Sequence, residues 1–193
     1  ENTIITYDDH ANINKMGTFR TYTVKVEGNS ITFKNLTIEN NAARLGQAVA
    51  LHTEGDKLVF INCRILGNQD TIYTGVAGTR LYFVDCYIDG TTDFIFGPST
   101  ALFENCEIRS KTNSYITAAS TPKDIAVGYV FKNCRLTADP GVDKVYLGRP
   151  WRPYAATVFI NCEMSKHIRP EGWHNWGNVE NENHFLSLAY NNT

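Results

Sequence analysis

The sequence of 193 residues contains no run of 18 apolar residues and no low-complexity stretch. A membrane-spanning helix needs about 20 predominantly apolar residues, so nothing here indicates a transmembrane segment. An excess of charge is also missing, because 18 Lys and Arg stand against 20 Asp and Glu. The net charge of −2 lacks the basic footprint of a nucleic-acid-binding protein and gives little attraction to an anionic membrane. We therefore expect neither nucleic acid nor a membrane as a partner.

Helical periodicity and metal-ligand spacing are absent as well. No segment keeps a 3.6-residue apolar pattern for ten residues, so the sequence predicts few helices. The five histidines show no spacing typical of a metal site or a catalytic triad, and we predict no metal and no other cofactor. The five cysteines are an odd number, so at least one stays unpaired within the chain.

What the sequence does contain is a six-residue phrase that recurs six times, most often as Phe-x-Asn-Cys-x-Ile. Its copies lie at residues 33–38, 60–65, 83–88, 103–108, 131–136 and 159–164. The third residue of each copy, Asn or once Asp, recurs at steps of 20 to 28 residues. A fixed phrase at such a step is typical of a stacked-coil architecture.

The phrase alternates apolar and polar residues, which indicates a strand or a strand entering a bend. Turns of 20 to 28 residues are too short for helical crossovers. We therefore predict an all-β fold, a right-handed parallel β-helix built as a single-stranded β-solenoid. The Asn column suits a bend, because Asn tolerates left-handed φ angles. The Cys column is predicted to be a ladder of buried structural thiols; a disulfide between neighbouring turns remains the alternative.

A second strand follows each phrase, and the residues just before these strands predict a polar column. Gln47, Asp70 and Asp93 are expected to stack on three successive turns. Two of the offsets agree, because Asp70 and Asp93 each lie seven residues after the Cys of their phrase. Gln69 lies beside Asp70, and Arg149 follows the fifth of these strands.

Carboxylates on adjacent rungs repel each other, so a pure scaffold would avoid them. Such neighbours split their titrations, and one stays ionised while the other holds a proton. That pair can serve as nucleophile and general acid, with a cation such as Arg149 selecting which one stays charged. The amides of Gln47 and Gln69 offer N–H donors for an oxyanion, which acyl transfer requires.

Four segments together resemble the signature segments of pectin methylesterases, in that family's order. They are GQAVAL at 46–51, GNQDTIY at 67–73, GTTDFIFG at 90–97 and LGRPW at 147–151. The resemblance implies that Asp93 is the nucleophile, Asp70 the general acid and then base, and Gln47 and Gln69 the oxyanion donors. It also implies that Arg149 orients the nucleophile. Trp151 is implied to line the sugar groove, and we expect Tyr73 and Trp173 to bind substrate there, because aromatic faces suit sugar rings.

The resemblance further implies the substrate and the location. The substrate would be methyl-esterified pectin (homogalacturonan), hydrolysed to carboxylate and methanol during pectin degradation or cell-wall modification. The protein would act as a secreted, periplasmic or cell-wall monomer. We expect one catalytic domain over residues 1–193, the middle of a longer protein without its terminal capping segments.

Three other functions fit parts of the pattern. A glycoside hydrolase or lyase on the same type of solenoid fits two neighbouring carboxylates, but not the two oxyanion donors. An esterase or thioesterase on another acyl substrate fits the chemistry but not the resemblance. A non-catalytic binding solenoid has no need of Asp70, Asp93 and Arg149 together.

Overall fold

The computed structural model describes residues 3–184 and 186–193, and in these residues almost all regular structure is strand. The strands are β1 (Thr3–Tyr7), β2 (Val24–Val26), β3 (Thr32–Lys34), β4 (Leu36–Asn40), β5 (Leu51–Thr53), β6 (Leu58–Ile61), β7 (Arg64–Leu66), β8 (Ile72–Thr74), β9 (Arg80–Val84), β10 (Tyr87–Gly90), β11 (Ile95–Gly97), β12 (Thr100–Glu104), β13 (Glu107–Ser110), β14 (Tyr115–Ala119), β15 (Tyr129–Lys132), β16 (Arg135–Ala138), β17 (Tyr146–Gly148), β18 (Ala156–Ile160), β19 (Glu163–Met164) and β20 (Leu186–Tyr190). Three short 3₁₀ helices cover Ile13–Lys15, Thr18–Arg20 and Val179–Asn183. In this part of the chain, no helix has both the length and the apolar character needed to cross a membrane.

The strands form three parallel sheets, and successive coils of the chain add one strand to each sheet in turn. Sheet A has the order β1-β4-β7-β10-β13-β16-β19, sheet B the order β17-β14-β11-β8-β5-β2, and sheet C the order β20-β18-β15-β12-β9-β6-β3. Neighbours within a sheet are three strands apart in sequence, except β18 and β20, which are two apart; this is the connectivity of a parallel β-helix. The predicted all-β parallel solenoid is confirmed.

Each repeated phrase spans two strands joined by a bend at its third residue. The phrase begins at the end of a sheet C strand and continues into a sheet A strand, as at β6 and β7. The bend residues all adopt left-handed φ angles of 50° to 57°: Asn35, Asn62, Asp85, Asn105, Asn133 and Asn161. Asn and Asp reach this region more readily than other non-glycine residues, so the repeated Asn sets the corner between sheets C and A.

The apolar positions of the phrase fill the interior as continuous ladders. Five consecutive ring pairs stack at centroid distances of 4.4 to 5.0 Å, through Phe33, Phe60, Phe83, Phe103, Phe131 and Phe159. All five cysteines are buried free thiols, as predicted. Their sulfurs lie near backbone carbonyls, with Cys86 Sγ 3.4 Å from Phe60 O of the preceding coil. The core thus repeats once per coil, and this repeat sets the spacing between equivalent residues on the outer face of successive coils.

Candidate active site

A cleft of about 340 Å³ opens beside sheet B, on the face away from the main core. Ile72 and Ile95 point into the core, whereas their neighbours Tyr73 and Phe96 belong to a separate outer cluster. This alternation is the ordinary period of two in a strand. The cleft is lined by Thr18, Phe19, Gln47, Gln69, Asp70, Asp93, Phe96, Ala118, Arg149, Trp151 and Trp176. Sheet B therefore brings together the five polar residues that the sequence singled out.

Asp70 and Asp93 occupy equivalent places in consecutive coils, at the turns that lead into β8 and β11. The amide of Asp70 donates to Thr92 O at 3.1 Å, and Ile72 pairs with Ile95, which sets Asp70 opposite Asp93. Both residues have positive φ angles, 67° for Asp70 and 48° for Asp93. The predicted neighbourhood of the two carboxylates is present.

Gln47 is the exception to the predicted column. The amide of Ala48 donates to Gln69 O at 3.0 Å, so Ala48 stands opposite Asp70, and Gln47 stands opposite Gln69. Leu51 pairs with Ile72, a register that would by itself set Val49 opposite Asp70. Ala50 N and Leu51 N both bond Thr71 O, at 2.9 and 3.1 Å, as in a β-bulge, and this extra residue sets Ala48 there instead. The predicted placement of Gln47 directly over Asp70 was wrong, but both glutamines line the cleft.

Arg149 forms a two-pronged ion pair with Asp93. Its Nε donates to Oδ1 at 3.0 Å and its Nη2 donates to Oδ2 at 2.6 Å. The guanidinium is sandwiched between two rings, 3.9 Å from the centroid of Tyr115 and 3.7 Å from that of Trp176. Planar stacking and a fork of donors are properties that Arg has and Lys lacks. The orientation of Asp93 is therefore fixed from a coil two turns away.

The electrostatics of the two carboxyls differ although both are buried. Burial raises the pKa of Asp70 well above its usual value, and the charge of Asp93 raises it further. Burial also raises the pKa of Asp93, but the hydrogen bonds and charge of Arg149 oppose that rise. Asp70 therefore keeps its proton to higher pH, while Asp93 is the carboxyl that ionises first.

Aromatic rings extend the cleft as a row across successive coils. Tyr73 packs against Phe19 at 4.8 Å and Phe96 at 4.7 Å, and Phe96 meets Trp151 edge-on at 5.8 Å between centroids. Of the expected substrate-binding residues, Trp151 lines the cleft, and Tyr73 supports the two phenylalanines that line it. A flat aromatic row beside polar groups suits a sugar polymer.

Trp173 does not line the cleft, contrary to expectation. Its ring packs against the main core and lies 5.9 Å from that of Phe159. The reason is a β-bridge between Trp173 and Gly148, which turns this segment inward next to sheet B. Trp176 reaches the cleft instead, from a turn in which its own φ is 61°.

Sequence reasoning missed Phe19 and Tyr115 as parts of the site, and it favoured Trp173 over Trp176. Tyr115 had a usable signal, because it begins the sheet B strand in the coil after Asp93. Trp176 stands three residues after Trp173 in a segment with two candidate tryptophans. Phe19, in a 3₁₀ helix outside the repeat, carried no signal.

The chemistry open to this site follows from its groups. An ionisable carboxylate held by an arginine can act as a nucleophile, a protonated carboxyl beside it can act as an acid, and two amides face the same space. Among residues 3–184 and 186–193, no three His, Cys, Asp or Glu side chains are grouped to hold a metal ion.

Comparison with known proteins identifies relatives across the whole chain. The family model described as Pectinesterase matches residues 1–193. Pectinesterase 31 of Arabidopsis thaliana is 43% identical over 168 residues, which is 86% of this chain and 52% of that protein. Probable pectinesterase A of Neosartorya fischeri is 42% identical over 155 residues, 78% of this chain and 47% of that protein. The chain thus spans about half the length of these relatives.

Solved structures agree in fold. Pectin methylesterase from carrot superposes with a TM-score of 0.92 at 31% identity, over 99% of this chain and 63% of that one. The enzyme from Aspergillus niger gives a TM-score of 0.89 at 33% identity, over 98% of this chain and 63% of that one. A pectin methylesterase in complex with a hexasaccharide gives 0.85 at 28% identity, over 99% and 71% of the two chains.

Proposed function

The chain belongs to the pectinesterase family, and on that premise we propose that it hydrolyses the C6 methyl esters of pectin to carboxylate and methanol. The observation that carries the proposal is the arrangement of Asp93, held by Arg149, opposite the buried Asp70 in a cleft that Gln47 and Gln69 also line. Each of these groups has a task in acyl transfer, and each task has a physical basis in the geometry.

Asp93 is the nucleophile. The fork of Arg149 opposes the rise in the pKa of Asp93 that burial causes, and it fixes the carboxylate at the wall of the cleft. Attack of that oxygen on the ester carbon gives a tetrahedral intermediate whose negative charge lies on the former carbonyl oxygen. Gln47 and Gln69 donate N–H groups to this oxygen, which is the most valuable place for donors in acyl transfer.

Asp70 supplies and then recovers the proton. As the intermediate collapses, the C–O bond to the methoxy group breaks, and protonated Asp70 gives its proton to the departing methanol. The product on the enzyme is an anhydride between Asp93 and the galacturonate carboxyl. Water then attacks this acyl group, ionised Asp70 takes the proton of the water, and Asp93 leaves as a carboxylate. The raised pKa of Asp70 suits both steps.

The aromatic row and the polymeric substrate belong together. Trp151 and Phe96 offer apolar faces for sugar rings on one side of the carboxylates, and Trp176 offers another. A relative in complex with a hexasaccharide supports a cleft that accepts several sugar residues. The protein would act as a monomeric, single catalytic domain on pectin outside the cell, with no nucleic acid or membrane partner.

The competing functions make different products. A glycoside hydrolase releases new reducing ends, a lyase releases unsaturated sugars that absorb in the ultraviolet, and an esterase for another acyl group prefers that substrate across a panel. The two amides facing Asp93 have no oxyanion to stabilise in a glycosidase, whose transition state is cationic.

The test compares wild type with Asp93→Asn on highly methylated pectin, measuring methanol, reducing ends and ultraviolet absorbance in parallel. We expect methanol alone from wild type, and methanol release lowered at least a thousandfold in the variant, because the amide is no nucleophile. Equal methanol release by both proteins contradicts the mechanism, and reducing ends or absorbance without methanol contradict the function.

A further inference from the structure

The turn at residues 67–70 carries both Gln69 and Asp70 and joins β7 of sheet A to β8 of sheet B. Its far end is tied to the coil of Asp93, because Thr91 N donates to Asn68 O at 3.0 Å and Asp70 N donates to Thr92 O at 3.1 Å. Those bonds set the level of Asp70 but not the path by which the chain enters the turn. The entry point is the buried Gly67.

Two charged side chains outside the cleft hold both polar groups of Gly67. Gly67 N donates to Asp89 Oδ1 at 3.1 Å, and Lys111 Nζ donates to Gly67 O at 2.7 Å. The two side chains also pair with each other, with Lys111 Nζ 3.6 Å from Asp89 Oδ1. Asp89 comes from the coil after Gly67 and Lys111 from the coil after that, so this clamp spans three coils.

The clamp is buried enough to matter. Asp89 is 14% exposed and Lys111 24%, well below the exposure of most ion pairs on this surface. Burial raises the pKa of Asp89, and Lys111 is the largest influence opposing that rise, with Arg64 a smaller one. A partly buried ion pair loses hydration free energy that an exposed pair keeps, so the pair by itself is weak evidence of stabilisation. What sets this pair apart is that both side chains also bond the peptide groups of Gly67.

We propose that Asp89 and Lys111 are positioning residues for the reaction: by fixing the N–H and C=O of Gly67, they hold the turn that presents Asp70 opposite Asp93. This inference rests on the proposed function. Neither side chain lines the cleft, so both act through the turn and not on the substrate. Asp70 has a left-handed φ of 67°, so the direction of its side chain depends on the path that this turn takes.

The kinetic test uses Lys111→Met, which keeps most of the side-chain volume but removes the donor and the charge. We expect kcat for methanol release to fall by about tenfold to a hundredfold with KM nearly unchanged, because a misplaced acid slows chemistry more than binding. Lys111→Arg, which restores a donor and a charge, should recover most of kcat. The matched control is Lys132→Met, which breaks the exposed pair with Glu104 on sheet C, at 2.8 Å, and should leave kcat unchanged.

A second measurement does not depend on activity. The carboxyl of Asp70 is titrated by ¹³C NMR in protein labelled at Asp, with its signal assigned through Asp70→Asn. A loosened turn admits water, so Lys111→Met should lower the Asp70 midpoint, whereas Lys132→Met should not move it. Asp93 and Arg149 are the charged groups that face Asp70 and remain in both variants.

The outcomes separate the inference from the proposed function. If wild type releases no methanol, the proposed function fails, and the NMR midpoint alone decides whether the clamp positions Asp70. A kcat within twofold of wild type, or a change in KM alone, overturns the positioning role. So does an unmoved midpoint, and so does a raised one, because losing a cation directly would raise the pKa.

Discussion

Arg149 bonds both oxygens of Asp93, at 3.0 and 2.6 Å, from a coil two turns further along the chain. The ion pair links the end of β17 to the turn before β11 and is stacked between two aromatic rings. Orientation and ionisation of the proposed nucleophile therefore depend on one side chain.

Replacing Arg149 should affect both the rate and its pH dependence. In Arg149→Gln the charge that lowers the pKa of Asp93 is gone, so that pKa rises and the acidic limb of kcat/KM moves to higher pH. We expect kcat to fall about a hundredfold. Arg149→Lys should have a kcat between those of wild type and Arg149→Gln, because an ammonium group keeps the charge but not the two-pronged hydrogen bonding.

The matched control for this experiment is Arg109→Gln. Arg109 donates to Asp139 at 2.7 Å outside the cleft, so its loss should leave the pH profile unchanged. An acidic limb that stays in place in Arg149→Gln contradicts the assigned role of Arg149.

The two glutamines should act on the chemical step. Gln47→Ala and Gln69→Ala each remove one donor to the oxyanion, and kcat should fall about a hundredfold to a thousandfold with little change in KM. Asn29→Ala, an exposed amide that bonds Asp56 N at 2.7 Å, is the control. Losses confined to KM indicate ground-state binding of the sugar and contradict the oxyanion role.

The sequence predicted the carboxylate pair because both residues lie at the same offset from the repeated phrase. Asp70 and Asp93 each lie seven residues after a buried Cys, and the interior ladders keep that offset constant from coil to coil. The parallel solenoid was predictable for the same reason, since each Asn forms the same bend and each Phe fills the same core position in its coil.

The structure departs from the sequence prediction where the repeat is interrupted. Gln47 lies just before a bulge at Ala50 and Leu51, and neither that extra residue nor the pairing of Leu51 with Ile72 leaves a trace in an apolar run. The sandwich of Tyr115, Arg149 and Trp176 joins distant parts of the chain, and no local pattern encodes such a contact.

Asp70 should make the folded state less stable as pH rises. Its folded pKa lies above the unfolded value of 3.8, so between these two values the unfolded chain releases a proton that the folded chain keeps. Stability falls across that window and stays lower above it. Asp70→Asn cannot titrate, so its free energy of unfolding should exceed that of wild type at pH 7. The difference should shrink towards pH 4, as measured by urea unfolding across this range.

Asp56→Asn provides a control of opposite sign. Hydrogen bonds from Arg80 lower the pKa of Asp56, so its stabilisation is present above 3.8 and is lost as pH falls. This variant should be less stable than wild type at pH 7 and equal to it in strong acid. An Asp70→Asn protein that loses stability at pH 7 shows that the ionised carboxylate is favourable there and contradicts the assignment of Asp70 as the protonated partner.

The two tryptophans three residues apart should separate stability from binding. Trp173 is half-buried and packs on the core beside Phe159, so Trp173→Ala should lower the free energy of unfolding by about 3 kcal/mol, the low end of the range for aromatic-to-Ala changes in cores. Trp176 is 39% exposed, lines the cleft and stacks on Arg149, so Trp176→Ala should lower kcat/KM for pectin with a smaller effect on stability.

Affinity for esterified oligomers separates the roles of the two tryptophans further. If the ring of Trp176 contacts sugar, Trp176→Ala loses affinity for esterified oligomers, whereas Trp176→Phe keeps an aromatic face and recovers part of it. Trp173→Ala, assayed well below its melting temperature, should keep the wild-type KM because its ring faces inward. A raised KM in Trp173→Ala together with unchanged kinetics in Trp176→Ala means that Trp173 is the residue that meets the substrate, and the assignment drawn from the cleft is then wrong.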